Sequence, residues 1–171
     1  IQDISKRQGP DETGLSRTYG SNDHSAFPVF KIDTAGNISS WNKACEDSFG
    51  HPSSGMLGNS PLTLVSKGYR RDFKDTIVRV FKGKPVKSKE WKYETNEGKP
   101  CYVLANIEPV NGLSGQVVEC IITSSDVTEL KYRMKKLERY AVDKKEKFNK
   151  LSEDYNLLKS NIASFIRKKN G

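Results

Sequence analysis

The apolar positions in the last third of the chain follow a heptad repeat. From about Val127 onward their spacing alternates between three and four residues, and no Pro or Gly interrupts it before Gly171. A sustained period of 3.5 residues is typical of helices that supercoil around a partner, because it keeps one seam facing that partner. The pattern predicts, over residues 127–171, one long coiled-coil helix that forms a homodimer. Its seam residues are Val127, Leu130, Met134, Leu137, Ala141, Phe148, Leu151, Tyr155, Leu158, Ile162 and Phe165.

One core position of this seam is charged. Two facing Lys144 side chains repel each other unless their stems carry the amines outward, so we expect a weak or splayed point that is a candidate hinge. In a parallel pair, Arg133 would face Glu138 of the other helix. Asp154 would face Lys159 in the same way, so a parallel orientation is favoured. Bulky aromatic residues on the seam leave the number of helices open.

The chain before the helix divides into an arm and a folded segment. Residues 1–25 are rich in Ser, Gly, Asp, Arg and Thr and lack periodic apolar residues, which predicts a flexible arm. Residues 26–126 contain short strand and helix patterns. The runs FPVFKID and ISSWN flank a turn in which Gly36 and Asn37 can take positive φ, so they predict a β-hairpin.

Helices and then strands follow this hairpin. Small helices are predicted in KACEDSFG and HPSSGMLGNSP, and a longer one in GYRRDFKDTIVRVFKG, whose apolar face holds Tyr69, Phe73, Ile77 and Val80. Three strands are predicted in VKSKEWKYET, CYVLANIEPV and QVVECIITSS. Alternation places Trp91, Tyr93 and Thr95 on one face of the first of these strands. It places Cys101, Val103, Ala105 and Ile107 on one face of the second. The predicted fold class is α+β, with a five-stranded antiparallel sheet and short helices on one face.

The order and spacing of several residues in this segment resemble the PAS family of sensory domains. Asp33, Gly36 and Ile38 match a hairpin of the form D-x-x-G-x-I, and Asn42 and Ala44 match an Asn-x-Ala step. Phe49 and Gly50 match a helix ending in Phe-Gly. The adjacent pair Leu57 and Gly58 stands where the family has a turn ending in Leu-x-Gly, so this last match departs from the family pattern by one residue. The step Asp126-Val127-Thr128 is similar to the junction that leads from a PAS core into an output helix. The resemblance therefore implies that residues 26–126 form a PAS-like sensor domain.

A PAS domain encloses a pocket between its sheet and its middle helix, so the resemblance also implies a pocket for a small-molecule ligand. The candidate pocket residues are Trp41, Tyr69, Phe73, Ile77, Trp91, Cys101 and Val103. The middle helix contains no His to ligate haem, and Cys45 lacks the Asn-Cys-Arg setting of covalent flavin chemistry, so the sequence argues against both cofactors. The ligand itself stays unidentified.

Charge and composition refine this picture. Residues 131–171 hold 13 Lys and Arg against 5 Asp and Glu, which equals the whole net charge of +8, because residues 1–130 hold 16 of each kind. Three cysteines at wide spacing predict neither a disulfide framework nor a metal site. No apolar run reaches the length of a membrane span, and the first residues do not resemble a signal peptide, so we expect a cytoplasmic protein.

These features favour a non-catalytic sensory or regulatory module that homodimerises and signals through its helix to an effector domain or protein. No nucleophile–base set, phosphate loop or paired catalytic carboxylates stand out, so no enzyme activity is predicted for this chain. One alternative is the input fragment of a sensor histidine kinase in a two-component system, with the catalytic part outside this chain. Another is binding of nucleic acid or an anionic surface by the basic helix, although Phe148, Tyr155 and Phe165 lie on the seam and not among the lysines.

Overall fold

The structure of the protein is a computed structural model that describes residues 25–169. Its strands are Val29–Asp33 (β1), Ile38–Trp41 (β2), Val86–Glu94 (β3), Pro100–Asn111 (β4) and Val117–Asp126 (β5). They form one sheet in the order β2-β1-β5-β4-β3, and every neighbouring pair is antiparallel. The predicted five-stranded sheet is therefore confirmed. Residues 1–24 of the predicted arm lie outside the described residues.

The β1–β2 turn forms where the sequence predicted it, but of Gly36 and Asn37 only Gly36 takes a positive φ. Gly36 has a φ of 85°, a conformation that costs a residue without Cβ little. The carboxylate of Asp33 accepts a hydrogen bond of 2.9 Å from the backbone N–H of Asn37, and this bond closes the turn. The strands on either side then pair with Phe30 opposite Trp41.

Four short helical segments and one longer helix separate β2 from β3. The α-helices are Lys43–Phe49 (α1), Ser53–Met56 (α2) and Arg70–Phe81 (α3), and 3-10 turns span Pro61–Thr63 and Lys67–Tyr69. Asn42 caps α1, and Gly50 ends it in the left-handed conformation, with a φ of 72°. The apolar face of α3 buries Phe73, Ile77 and Val80 against the core, as its spacing predicted.

The core lies between these helices and one face of the sheet. Alternate residues of β4 are buried, as a period of two predicts, namely Cys101, Val103, Ala105 and Ile107. Trp91 and Tyr93 of β3 are fully buried, whereas Thr95 follows the end of that strand and is half-buried. Each fully buried large apolar side chain contributes roughly 1.5–3 kcal/mol to folding, so this face of the sheet supplies much of the stability.

One uninterrupted helix, α4, spans Thr128–Lys169 and forms a compact unit separate from the residues before it. It begins one residue later than the heptad pattern indicates, so Val127 lies just outside it. The seam residues from Leu130 to Phe165 that are large and apolar are exposed in the single chain; Leu137, Phe148 and Leu151, for example, are 67%, 69% and 68% exposed. The long helix is confirmed, and its pairing as a coiled coil stays a prediction. Within residues 25–169, no helix has both the length and the apolarity required to cross a membrane.

Candidate functional site

An open cavity of about 270 Å³ lies between α3, the β1–β2 turn and the 3-10 turn Pro61–Thr63. Its walls are almost entirely apolar, and one charged side chain, Lys74, lines it. The lining residues are Ile32, Gly36, Ser60, Pro61, Leu62, Phe73, Lys74, Ile77 and Val78. An apolar concavity with few polar groups is the usual form of a small-molecule site, so this cavity is the candidate ligand site.

Helical spacing explains which residues of α3 reach the cavity. Phe73 and Ile77 are four residues apart and therefore lie on one face of the helix, and the pair Lys74 and Val78 forms the neighbouring row. The first row is buried, while the second is exposed at the mouth, with Val78 54% exposed. The cavity therefore has an apolar floor and an exposed edge that includes Lys74.

The opposite wall comes from the loop before α3. Ser60 caps the 3-10 turn, since its hydroxyl accepts a hydrogen bond of 3.4 Å from the N–H of Leu62, and Pro61 occupies the first position of that turn. Proline suits this position because it has no N–H to leave unpaired. Pro61 is buried and Leu62 is packed against the core, so the turn presents an apolar surface to α3.

The seven pocket residues predicted from the sequence do not all lie at this cavity. Phe73 and Ile77 line it. Trp41, Trp91, Cys101 and Val103 are members of the buried core, and Tyr69 packs against that core while partly exposed. The role of these five as ligand contacts stays a prediction. The cavity is also lined by residues that the sequence did not indicate as pocket residues. These are chiefly the turn Ser60-Pro61-Leu62 and, on α3, Lys74 and Val78.

A polar cluster holds α3 against the sheet beside the cavity. The two carboxylate oxygens of Asp72 accept hydrogen bonds of 2.8 Å each from the Lys89 amine and from the indole N–H of Trp91. The hydrogen bond from Lys89 lowers the pKa of Asp72, and the bond from Trp91 adds to this effect. The ring of Trp91 also packs on Phe73 at 4.7 Å between centroids, so the cavity floor is fixed to β3.

Other polar groups are buried within the core. The hydroxyls of Tyr93 and Ser124 are fully buried and make no hydrogen bond of standard geometry within residues 25–169, although Ser124 is close enough to lower the pKa of Tyr93. Burial outweighs this and raises the pKa of Tyr93 overall. Burial likewise raises the pKa of Cys45 to about 12 and that of Cys101 to about 11. These thiols are therefore protonated near neutral pH and are poor nucleophiles.

The start of α4 is tied to the sheet by three hydrogen bonds of 2.8 Å. The backbone N–H of Val127 donates to the carbonyl of Tyr102, and the N–H of Tyr102 donates to the hydroxyl of Thr128. The N–H of Thr128 donates in turn to the carboxylate of Asp126. The junction Asp126-Val127-Thr128 is thus anchored to β4. The described residues 25–169 contain no group of three or more side chains arranged to hold a metal ion.

Comparison with known proteins establishes the family. The model of the family described as PAS fold matches residues 22–131. The chain therefore belongs to the PAS fold family, whose members are generally non-catalytic sensory modules. No match was found among curated proteins.

Solved structures share this fold. The PAS domain of a protein from Colwellia psychrerythraea is 19% identical with a TM-score of 0.60, and the match covers 67% of this chain and 98% of that one. The PAS domain of an HTR-like protein from Haloarcula marismortui is 21% identical with a TM-score of 0.54, and covers 66% and 90%. An RNA-binding light-oxygen-voltage receptor is 18% identical with a TM-score of 0.62; the match covers 82% of this chain but only 41% of the receptor. At these identities the likeness describes the fold alone.

Proposed function

We propose that the chain is a non-catalytic sensory or regulatory module that homodimerises through α4 and passes the state of a small-molecule ligand or protein partner to an effector. Membership of the PAS fold family supports the sensory part. The candidate cavity supports a small-molecule input. The dimeric output rests on the exposed seam of α4.

The observation that carries the proposal is that exposed seam. A 42-residue helix is about 63 Å long at 1.5 Å per residue, and its large apolar seam residues are more than half exposed in one chain. Such a long apolar stripe is unfavourable in water, and a second copy of the same helix buries it with matching periodicity. Self-association is therefore the simplest way to cover it.

Lys144 places a charge at one position of this seam, but its contact with Tyr140 is compatible with pairing of two helices. Its amine lies 5.2 Å from the centre of the Tyr140 ring, one turn earlier on the helix. A cation over an aromatic face is attracted to it, so the aliphatic stem can stay at the seam while the charge lies beside it. This arrangement supports a seam that tolerates Lys144 as a locally weak point.

A continuous backbone route links the cavity to the helix. Ile32 of β1 lines the cavity and pairs with Cys120 of β5, and β5 runs directly to the junction before α4. A ligand that displaces β1 therefore acts on a strand that is hydrogen-bonded to β5, the strand that leads into α4. A rotation or splaying of the two α4 helices is the expected result.

Two adjacent leucines of α4 provide a matched test of dimerisation. Leu158 lies on the seam and Leu157 does not, yet they are 57% and 62% exposed, so aspartate costs the isolated helix the same at either position. Losing two buried leucines from the dimer costs about 3–6 kcal/mol, which weakens association more than 100-fold. Analytical ultracentrifugation should show a dimer for wild type and for Leu157→Asp, and a monomer for Leu158→Asp. A wild-type monomer, or equal behaviour of the two variants, would reject the proposal.

Nucleic-acid binding is a second candidate because the net charge of +8 belongs to residues 131–171, and Lys135, Lys136 and Arg139 lie outside the apolar seam. It predicts that affinity for RNA or DNA falls steeply with salt, since each neutralised phosphate releases counterions. Binding titrations between 50 and 200 mM salt, a range in which such contacts lose much of their affinity, would test this. Absence of binding at the lower salt concentration would remove this candidate.

The role of input fragment for a sensor histidine kinase is a special case of the main proposal and requires a kinase outside this chain.

A further inference from the structure

The exposed edge of the candidate cavity combines the side chain of Lys74 with apolar walls. The amine of Lys74 has no ion-pair partner within residues 25–169, in contrast to Lys89 on the neighbouring strand, which is paired with Asp72. Phe73 and Ile77 are both buried and line the cavity together with Lys74. A ligand that satisfies both parts needs an apolar body and an anionic end.

No carboxylate within residues 25–169 forms an ion pair with Lys74. Asp72, two residues earlier, has both oxygens occupied by Lys89 and Trp91. Asp33, beside the cavity-lining Ile32, accepts the N–H of Asn37 in the hairpin turn. Asp75 is the next residue on α3, but neighbouring positions on a helix point in different directions, and it does not line the cavity. The amine of Lys74 is therefore available to pair with an anionic ligand.

The cavity volume indicates the size of the apolar part of a ligand that the cavity can enclose. At the roughly 30 Å³ that a small liquid molecule such as water occupies, a cavity of about 270 Å³ has room for about nine heavy atoms. This is just below the usual range of small-molecule sites, which is about 300–1,000 Å³. A single short alkyl chain or one substituted ring fits.

We infer that the cavity binds a small amphipathic carboxylate, with about eight carbon atoms between α3 and the Ser60-Pro61-Leu62 turn and its carboxylate paired with Lys74. Burial of the apolar body supplies most of the affinity, because the amine is exposed and an exposed ion pair contributes little. Lys74 therefore acts mainly in selectivity for an anion over a neutral molecule of the same length. This inference rests on the proposed function, since it names the ligand class that the sensory module reads.

Octanoate and octanol are the probes that test it, because they share a chain length and differ in charge. By isothermal titration calorimetry on the full chain, octanoate should bind with one site per chain and more tightly than octanol. Lys74→Gln should weaken octanoate about fivefold and leave octanol unchanged. Arg71→Gln is the matched control, since it removes the same charge from an exposed position of α3 that does not line the cavity, and it should leave both affinities unchanged.

A second variant, Val78→Trp, tests whether the ligand binds in this cavity and leaves the charge of Lys74 unchanged. Val78 is half exposed at the mouth, so Val78→Trp can fill the entrance without disturbing the core, and circular dichroism verifies the fold. It should abolish binding of both probes. Absence of octanoate binding to wild type, equal affinity for octanol, or insensitivity to Lys74→Gln or Val78→Trp would overturn the inference. A dimer that binds no octanoate refutes only the ligand class, whereas a monomer refutes the proposed function.

Discussion

Replacement of Asn42 by alanine tests how the folded segment is held together at its start. The buried Oδ1 of Asn42 accepts the backbone N–H of Cys45 at 2.9 Å and that of Val29 at 3.0 Å. Its side-chain amide donates to the carbonyl of Phe27 at 2.9 Å. One side chain therefore joins the segment before β1, the first residue of β1 and the first turn of α1.

The expected loss follows from these partners. Removing the cap of α1 costs about 1 kcal/mol, and leaving the buried N–H of Val29 without an acceptor costs about 1–3 kcal/mol. We therefore expect Asn42→Ala to lower the free energy of unfolding by about 2–4 kcal/mol. Urea denaturation followed by circular dichroism at one fixed protein concentration measures this, because association makes stability depend on concentration.

Asn59→Ala is the matched control. The amide of Asn59 donates a hydrogen bond of 3.0 Å to the carbonyl of Gly55, but this residue is exposed, so water replaces the lost partner. It should change the free energy of unfolding by less than about 0.5 kcal/mol. If Asn42→Ala cost no more than Asn59→Ala, the role assigned to the buried amide would be wrong.

Two further predictions concern the buried polar groups. Tyr93→Phe should leave the free energy of unfolding unchanged or raise it by up to about 1 kcal/mol, because it removes a buried hydroxyl that lacks a well-formed hydrogen bond. Urea denaturation measures this, and a loss of more than about 1 kcal/mol would contradict the prediction and indicate a hydrogen bond between Tyr93 and Ser124. Cys45, Cys101 and Cys120 are buried with pKa values raised to about 12, 11 and 12, so iodoacetamide at pH 8 should label them only after unfolding in urea. Mass spectrometry that finds rapid labelling of the native protein at any of the three would contradict their assignment as protonated core residues.

Local periodicity was enough to predict the main elements. The alternation of Cys101, Val103, Ala105 and Ile107 predicted a half-buried strand, and the spacing of Phe73, Ile77 and Val80 predicted the buried face of α3. Both signals arise because one side of each element meets the core, which imposes a period of two or 3.6 on the residues themselves. The first helical residue of α4, Thr128 rather than Val127, depended instead on hydrogen bonds to Tyr102, a residue far away in the sequence.

The candidate site was less accessible to such reasoning. An aromatic residue on a strand, such as Trp91, has the same local pattern whether it lines a cavity or fills the core, and here it packs on Phe73 and donates to Asp72. The turn at Ser60-Pro61-Leu62 carries a helix-start signal, but nothing local indicates that it lies opposite α3. Contacts between residues distant in the sequence decide where space is left.

In contrast to the cavity, the long helix α4 was predictable from the sequence alone. Its heptad pattern by itself determined a continuous α4 with an apolar seam from Leu130 to Phe165, because the residues that form a helix face are neighbours in the sequence. The tertiary structure alone decided that Phe73, Ile77 and Lys74 meet Ile32 and the 60–62 turn around an open cavity. The physical reason is that a helix repeats with the chain, whereas a cavity depends on how separate elements pack against one another and leave one gap unfilled.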